Sequence, residues 1–257
     1  MKDVVQLNLL QFSLIYVLLV VVLLVMRRAR VNKMKLLLIG SVRMTVQLVL
    51  VGFLLEYILS DAHPLYTVAF LAAMLAFSVQ RILSGRKELN RRFKIIIAAG
   101  LSVSGLAVLA YFVILVVGED FFNPQYTIPL AGMIIGNAMT GVSLGLKTFS
   151  ESLRLQSRKL ETMLNLGASP REILRPIVGN ALETALLPTL NSMVGMGIIF
   201  LPGMMTGQIL SGTSPTTAIL YQIAIMIAIC TSVCMSVFIA LYFGNRTLYN
   251  RRNQLKF

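Results

Sequence analysis

Long apolar runs alternate with short polar connections along this 257-residue chain. An α-helix needs roughly 20 apolar residues to cross about 30 Å of hydrocarbon, and seven runs approach or exceed that length. The predicted spans are residues 7–26, 36–59, 65–83, 95–117, 128–147, 184–206 and 216–243. The pattern therefore predicts an all-α, polytopic membrane protein with about seven transmembrane helices. Prolines and glycines in segment 202–215 also favour a bend or a re-entrant segment between the last two spans.

Lysine and arginine residues are concentrated on alternate connections of this pattern. They occupy residues 27–35, 81–94, 147–175 and the tail from residue 246, whereas the other connections are acidic or neutral. Cationic loops beside membrane segments are retained in the cytoplasm. The N-terminus is therefore predicted to lie outside and the C-terminus in the cytoplasm, an arrangement that requires an odd number of spans.

The composition agrees with a membrane protein. Hydrophobic residues make up 57% of the chain and charged residues 13%, against roughly 45 to 50% and about 25% in soluble proteins. The formal charge of +13 falls beside the apolar runs and forms no single stripe. It is therefore assigned to topology and to contact with anionic lipid of the bilayer, and no nucleic-acid partner is expected.

The connection from Lys147 to Glu183 is much longer than the others and mixes charged residues with regularly spaced leucines. Its helical pattern is broken at residues 167–170, where Pro170 disfavours helix at the residue before it. The sequence predicts two helices that meet at a cytoplasmic elbow. The connections on the external side of the membrane are too short to fold into a separate domain, so residues 1–257 are predicted to form one transmembrane domain containing this cytoplasmic loop.

The elbow sequence ETMLNLGASPREILRPIV places Glu161 six residues before Gly167 and Ile177 ten residues after it. This spacing resembles the coupling loop of ABC-transporter permeases, although the two alanines and the Leu-Pro end expected there are replaced. An amphipathic surface helix with a glycine and proline stop is the alternative interpretation. The resemblance implies that an ATPase subunit is contacted by Glu161, Gly167, Ala168, Ser169, Pro170 and Ile177.

A wider resemblance covers about residues 36–245. The segments GNAMTGVSLGLKTF, LNLGAS and ALLPTLNSMVGMGIIFLPGMMTGQILSGTSPTTAILYQI are similar to the FetB-type permeases, a family of bacterial ABC membrane subunits that includes plant aluminium-sensitivity proteins. The resemblance implies a multi-pass permease in the bacterial inner membrane, paired with a second copy and with separate ATP-binding subunits. It also implies iron or a related metal ion as the exported substrate.

The sequence contains no G-x-x-x-x-G-K-[ST] motif, so ATP is expected to bind the partner subunit. We therefore expect no bound cofactor and no enzymatic activity in this chain alone. Paired aspartates, a serine and histidine set and H-E-x-x-H are also absent from the spans, which disfavours an intramembrane enzyme. A secondary transporter and a membrane scaffold without transport activity remain the alternatives.

Candidate metal ligands lie in three of the predicted spans. Thiolates and thioethers suit soft or borderline metals, whereas carboxylates suit harder ones. The alternative is structural, because methionine fills apolar cores and cysteine packs as a small apolar residue. The candidates are Glu56, Met193, Met196, Met204, Met205, Cys230 and Cys234.

Four polar residues are predicted at membrane depth. Insertion of the charged Arg43 side chain into the membrane would cost about 2.5 to 3.5 kcal/mol. This side chain therefore either snorkels to the interface or faces protein or water. Gln47 lies one turn away and Glu56 further along, and both are possible partners. Asn137 and Asn191 either hydrogen-bond across packed helices or line a substrate path.

Overall fold

The computed structural model describes the backbone of residues 8–60, 63–86 and 89–249, and the side chains of all of these except residues 9–11. The described part of the chain is all-α, as predicted, and separates into two compact units. The first unit contains α1 (Leu9–Arg28) and α2 (Met34–Ser60). The second contains α3 (Pro64–Leu83), α4 (Arg91–Ala110), α5 (Pro124–Leu155), α6 (Ser157–Asn165), α7 (Pro170–Gly195), α8 (Gly203–Leu210) and α9 (Pro215–Asn245).

The first unit is a helical hairpin. Its two helices are joined by a short turn in which Arg30 adopts a left-handed backbone, with φ at 53°. The hydroxyl groups of Tyr16 and Thr45 lie 2.6 Å apart, which aligns α1 and α2 antiparallel. Large apolar side chains cover most of the surface of both helices, as expected for helices that face lipid.

The helices of the second unit begin at short local signals. Five of them start at a residue whose side chain accepts a hydrogen bond from the first turn, and this satisfies an otherwise unpaired backbone donor. In four of the five, proline follows the cap and supplies a preset φ angle at a position that needs no donor. The caps are His63, Asn90, Asn123, Ser169 and Ser214.

Helix α5 lies at the centre of the second unit and packs against α3, α4, α7 and α9. Small residues allow these helices to approach closely. A methyl group added at Gly141 would lie 2.6 Å from Cγ1 of Val233, and one at Gly100 would lie 2.7 Å from Cγ2 of Ile239. The buried hydroxyls of Ser104 and Ser236 join α4 to α9 at 2.5 Å. The core therefore depends on close packing between helices.

The basic connections of the second unit lie at one end of the helix bundle. Asn90 Nδ2, at the start of α4, donates to the carbonyl of Thr247 at 2.7 Å. The hydroxyl of Tyr249 donates to the carbonyl of Pro170, at the start of α7, at 3.3 Å. At the opposite end, the Thr67 hydroxyl donates to the carbonyl of Phe122 at 2.9 Å. The charge alternation along the sequence thus becomes a separation in space.

Five helices in the described part of the chain are long and apolar enough to cross a membrane: Met34–Ser60, Pro64–Leu83, Arg91–Val117, Pro124–Leu155 and Pro215–Asn245. They coincide with five of the seven predicted spans, with differences of a few residues at most ends. The third of these combines α4 with a π-helical turn, Tyr111–Val117. Helix α1, with 20 residues, occupies most of the first predicted span, 7–26. Residue 7 of that span lies outside the described residues.

The prediction of one continuous helix over residues 184–206 is wrong. Helix α7 begins at Pro170 and ends at Gly195, and Gly197 then adopts a left-handed backbone with φ at 83°. A loop leads to α8, which has 8 residues and is about 12 Å long, too short to cross a bilayer. Glycine and proline end the helix here although the apolar character continues. The count of seven crossings remains a prediction.

Candidate functional site

The elbow between α6 and α7 begins with a specific helix stop. The amide of Ala168 donates to the carbonyl of Met163, and the amide of Gly167 donates to the carbonyl of Leu164, each at 3.0 Å. These two bonds form a Schellman motif, in which the residue after the helix adopts a left-handed backbone. Gly167 occupies that position with φ at 89°. A residue without a Cβ atom adopts this conformation at the lowest cost.

Helix α7 starts two residues later with a capping box. The Glu172 amide donates to Oγ of Ser169 at 3.4 Å, and the Ser169 amide donates to Oε2 of Glu172 at 3.2 Å. The Ser169 hydroxyl also donates to that carboxylate oxygen at 2.7 Å. These hydrogen bonds lower the pKa of the Glu172 carboxyl. A helix stop and a helix start thus follow each other with almost no intervening chain, so the direction of the elbow is fixed locally.

The outer surface of the elbow carries exposed apolar side chains. Leu155 is 86% exposed and Leu166 is 82% exposed, and Met163 lies between them in sequence, also exposed. Glu161 and Met163 lie on α6, and the carboxylate of Glu161 is exposed. We call Leu155, Glu161, Met163 and Leu166 the elbow surface. Glu161 was predicted to contact a partner, whereas the other three members, Leu155, Met163 and Leu166, were not.

The predicted contact residues divide between this outer surface and the core. Gly167 and Ser169 are exposed beside the elbow surface, and Ala168 and Pro170 are half-buried. Ile177 is only 4% exposed, because its side chain packs into the core of the second unit. In this structure Ile177 therefore holds α7 in place and presents no surface. The contact of the whole set with an ATPase remains a prediction.

Two polar contacts between residues far apart in sequence hold the basic end of the bundle together near the elbow. The Tyr249 hydroxyl reaches Pro170, and burial raises the pKa of Tyr249 well above its usual range. Arg86 donates from its guanidinium to the carbonyl of Ser143 in α5 at 2.7 Å, and burial lowers its pKa. The charge pattern along the sequence relates Arg86 only to membrane topology, because a basic residue in a loop gives no local sign of a long-range partner.

A cavity of about 480 Å³ lies between the end of α7, the following loop, α8 and α9. Among its lining residues are four methionines and one buried glutamine: Met193, Met196, Met205, Met226 and Gln222. The Gln222 amide donates to Sδ of Met196 at 3.7 Å. Its Oε1 atom has no hydrogen-bond partner within the described chain. Three of the four methionines proposed as metal ligands thus share one cavity, which Met204 does not line.

The other three candidate ligands are two cysteines and a glutamate. Cys230 and Cys234 are free, half-buried thiols on α9 that lie outside the lining of this cavity. Glu56 is exposed on α2, in the first unit. In the part of the chain that the structure describes, no group of three or more histidine, cysteine or acidic side chains could hold a metal ion. Their role as ligands remains a prediction.

Glu56, one of the two possible partners of Arg43, lies beyond its reach within one copy of α2. Both residues lie on the single helix α2, and 13 residues of helix separate their backbones by about 20 Å, beyond the reach of the two side chains. Gln47 is one turn from Arg43, as expected from the spacing, and both are exposed.

Asn137 and Asn191 are exposed on the surface of the described chain. The Asn137 amide donates to the carbonyl of Met133 within its own helix at 2.7 Å. Exposure of both side chains at the surface of one chain leaves them available to line a path or to meet another protein.

The all-α fold, its long apolar helices and their glycine-mediated packing define a multi-pass α-helical membrane protein. The chain belongs to the family described as "Uncharacterised protein family (UPF0014)", which matches residues 9–249. This agrees with the family resemblance found in the sequence.

Three relatives illustrate the range of this family. The chain is 32% identical to the "Probable iron export permease protein FetB" of Escherichia coli, over 95% of this chain and 93% of that protein. It is 29% identical to the "UPF0014 membrane protein YjkA" of Bacillus subtilis, over 84% and 86% of the two chains. It is 35% identical to the "Protein ALUMINUM SENSITIVE 3" of Arabidopsis thaliana, over 72% and 66%. No solved structure matches the chain.

Proposed function

We propose that this protein is the membrane subunit of an ABC transporter that exports iron or a related metal ion. The observation that carries the proposal is the similarity, over nearly the whole of both chains, to a protein named as a probable iron export permease. The absence of a P-loop motif from the sequence supports a separate ATP-binding subunit as the source of energy.

The elbow is the proposed contact with that subunit. A short helix with exposed apolar side chains and charged neighbours matches the way in which a helix inserts into a groove of a partner. Leu155, the last residue of α5, and Leu166, the residue that follows α6, would flank this helix as apolar anchors, because both are almost fully exposed. Glu161 would lie at the rim and pair with a basic group of the ATPase. If the basic end of the bundle lies in the cytoplasm, Leu155 and Leu166 face water and not lipid, so contact with lipid does not explain why they are exposed.

Rigid connections would transmit movement of the elbow into the membrane. The helix stop at Gly167 and the capping box at Ser169 leave little slack between α6 and α7. Helix α7 packs against α5 and α9. Closure of two ATPases would therefore displace α7 and α5 together in each of two permease copies, which opens the substrate path alternately to each side.

The positions of the basic residues support a location in the bacterial inner membrane with the elbow in the cytoplasm. Single cysteines, labelled with a membrane-impermeant thiol reagent before and after permeabilisation, would report this orientation directly. Probes at Ser60 and Gln125 are expected to react from outside, and those at Ser84 and Ser157 only after permeabilisation. Reaction of a probe at Ser157 from outside would overturn the orientation.

The proposal is tested by copurification and transport. The tagged permease is expressed with the ATP-binding subunit and reconstituted in liposomes, where Fe²⁺ should stimulate ATP hydrolysis and ATP should drive Fe²⁺ transport. Leu166→Ser should weaken copurification because it removes an exposed anchor. The matched control is Phe122→Ser, which alters an exposed apolar residue at the opposite end of the bundle.

Two results would contradict different parts of the proposal. Wild-type complex without Fe²⁺-stimulated hydrolysis or ATP-driven transport would reject the export of iron. Equal copurification and transport by Leu166→Ser and the wild type would show that the elbow surface is not the ATPase contact.

A further inference from the structure

A strip of polar side chains runs along the exposed surface of two neighbouring helices, α5 and α7. We define this polar strip as Asn137 and Thr140 on α5 with Asn180, Glu183 and Asn191 on α7. All five residues are exposed in the single chain. Asn137 and Thr140 are three residues apart, and the members on α7 are three, eight and eleven residues apart, so each set lies close to one helical face. The strip thus lies opposite the side of α5 and α7 that forms the core.

The packing of α5 against α7 gives the depth of the strip. A methyl group at Gly141 would lie 3.6 Å from the carbonyl oxygen of Ala185, and one at Gly145 would lie 3.4 Å from that of Ala181. The helices are therefore antiparallel, and Glu183 is level with the middle of the segment between these glycines. Glu183 therefore lies about 6 Å, measured along α5, from the level of the charged Lys147. Asn191 lies about 12 Å further along α7 than Glu183, in the direction away from Lys147.

Lipid is a poor cover for this surface. Ionised carboxylates within membrane segments are rare, and they face protein or water as a rule. Within the described residues, the Glu183 carboxylate has no ion-pair partner and no hydrogen bond. The core of the second unit does not cover it, because Ala181 and Ala185 supply the buried face of this part of α7.

We propose that a second copy of this chain closes the polar strip, and that the two strips together form a cation path in which Glu183 from each copy supplies the negative charge. A symmetric dimer uses the same surface on both copies, so Glu183 and its counterpart would approach a common axis. Two facing carboxylates repel each other, and a cation bound between them offsets that repulsion. The site is therefore incomplete without the second copy.

The ligand chemistry of the strip selects the class of cation. Carboxylate, amide and hydroxyl oxygens suit hard or borderline divalent ions, whereas the methionine-lined cavity offers only thioethers and one amide. The inference deepens the proposed export of a metal ion and rests on it for the role of the path. Binding of the ion can nevertheless be measured without ATP or the ATPase.

The binding test uses full-length permease in lipid nanodiscs and Mn²⁺ as the probe, with free Mn²⁺ measured by electron paramagnetic resonance. Glu183→Gln should weaken Mn²⁺ binding at least about tenfold, because it removes both charged ligands of the dimer. Glu183→Asp should restore most of the affinity. The matched control is Glu151→Gln, which removes an exposed carboxylate near the end of α5 that pairs with Lys147 at 3.9 Å, and it should change binding less than about twofold.

The contact between copies is tested by cross-linking in a Cys230→Ser, Cys234→Ser background, which removes both native cysteines. Oxidation of Asn191→Cys should give a covalent dimer. Val103→Cys, at a position 65% exposed on α4, is the control and should remain monomeric.

The outcomes separate this inference from the proposed function. Mn²⁺ affinity of Glu183→Gln equal to that of the wild type would overturn the cation site, even if the complex transports Fe²⁺. Cross-linking of Asn191→Cys no greater than that of Val103→Cys would overturn the role of the second copy. Loss of Mn²⁺ binding in Glu183→Gln, in a protein whose wild-type complex transports no metal, would reject export and retain the site.

Discussion

Replacement of Gly167 by valine tests whether the elbow depends on one backbone conformation. Gly167 has φ at 89°, and a Cβ atom added there would meet no neighbouring heavy atom within 4 Å. Any penalty must therefore come from the backbone and not from a clash. For a residue with a side chain, a left-handed conformation costs about 1 to 2 kcal/mol. The Schellman motif should therefore open about 5- to 30-fold more often in Gly167→Val.

Hydrogen exchange measured by mass spectrometry reports this opening. The amides of residues 167 and 168 donate to the carbonyls of Leu164 and Met163 when the motif is closed, so peptides covering them should exchange faster in the variant. Gly167→Asn should show a smaller effect, because asparagine tolerates the left-handed region better. The matched control is Gly179→Val, because Gly179 is an exposed helical glycine with equally open space around it.

The same variant has a functional consequence. If the elbow couples the ATPase to the membrane helices, Gly167→Val should still insert and hydrolyse ATP but should transport less substrate for each ATP consumed. Exchange in Gly167→Val that matches the wild type, or that Gly179→Val reproduces, would refute the backbone argument. Normal exchange rates and normal coupling together would remove the elbow from the mechanism.

Three further predictions follow from the same structure. Hydrogen bonds depress the pKa of Glu172 below its ordinary value of 4.5. The capping box should therefore stabilise α7 fully above pH 4.5 and lose this stabilisation as the pH falls through the lower pKa of the folded state. Hydrogen exchange of the first turn of α7, measured from pH 7 to 3, should show this loss, and Glu172→Gln should remove the pH dependence. Gly244→Ala would drive a methyl group into the ring of Phe93, so thermal unfolding in detergent should show a loss of about 1 to 3 kcal/mol, whereas Gly179→Ala should show none. Glu56→Gln should reduce Fe²⁺ efflux more than replacement of both cysteines, because a carboxylate holds a hard or borderline cation through charge; normal efflux at normal abundance would exclude it.

Much of the helix layout could be predicted from local properties of the chain. Apolar run length gave most spans correctly, since five of the predicted runs coincide with five long helices. The failure at residues 184–206 has a local cause as well. Gly195 and Gly197 permit a helix end and a left-handed turn, but hydropathy averages over such residues and registers only the apolar side chains around them.

The candidate sites were less predictable, because they depend on which face of each helix is covered. Spacing placed Leu160 and Leu166 in one leucine pattern, yet the first is buried and the second is 82% exposed. Glu183 appeared only as the end of a loop, and its exposed position on a polar strip follows from the contacts of Gly141 and Gly145 with the other face of α7. The partners of Arg86 and Tyr249 lie far away in sequence and left no local signal.

The sequence by itself determined the class of protein, the order of its apolar helices and the glycine and proline stop of the elbow. These properties arise from hydropathy, charge and backbone preference, which act over one to twenty neighbouring residues. Only the tertiary structure decided which methionines share a cavity, which leucines point away from the core and which polar side chains remain uncovered. In a chain whose helices are apolar on nearly every face, the helical period shows which residues lie together but does not select the face that packs, and close contacts at small residues make that choice.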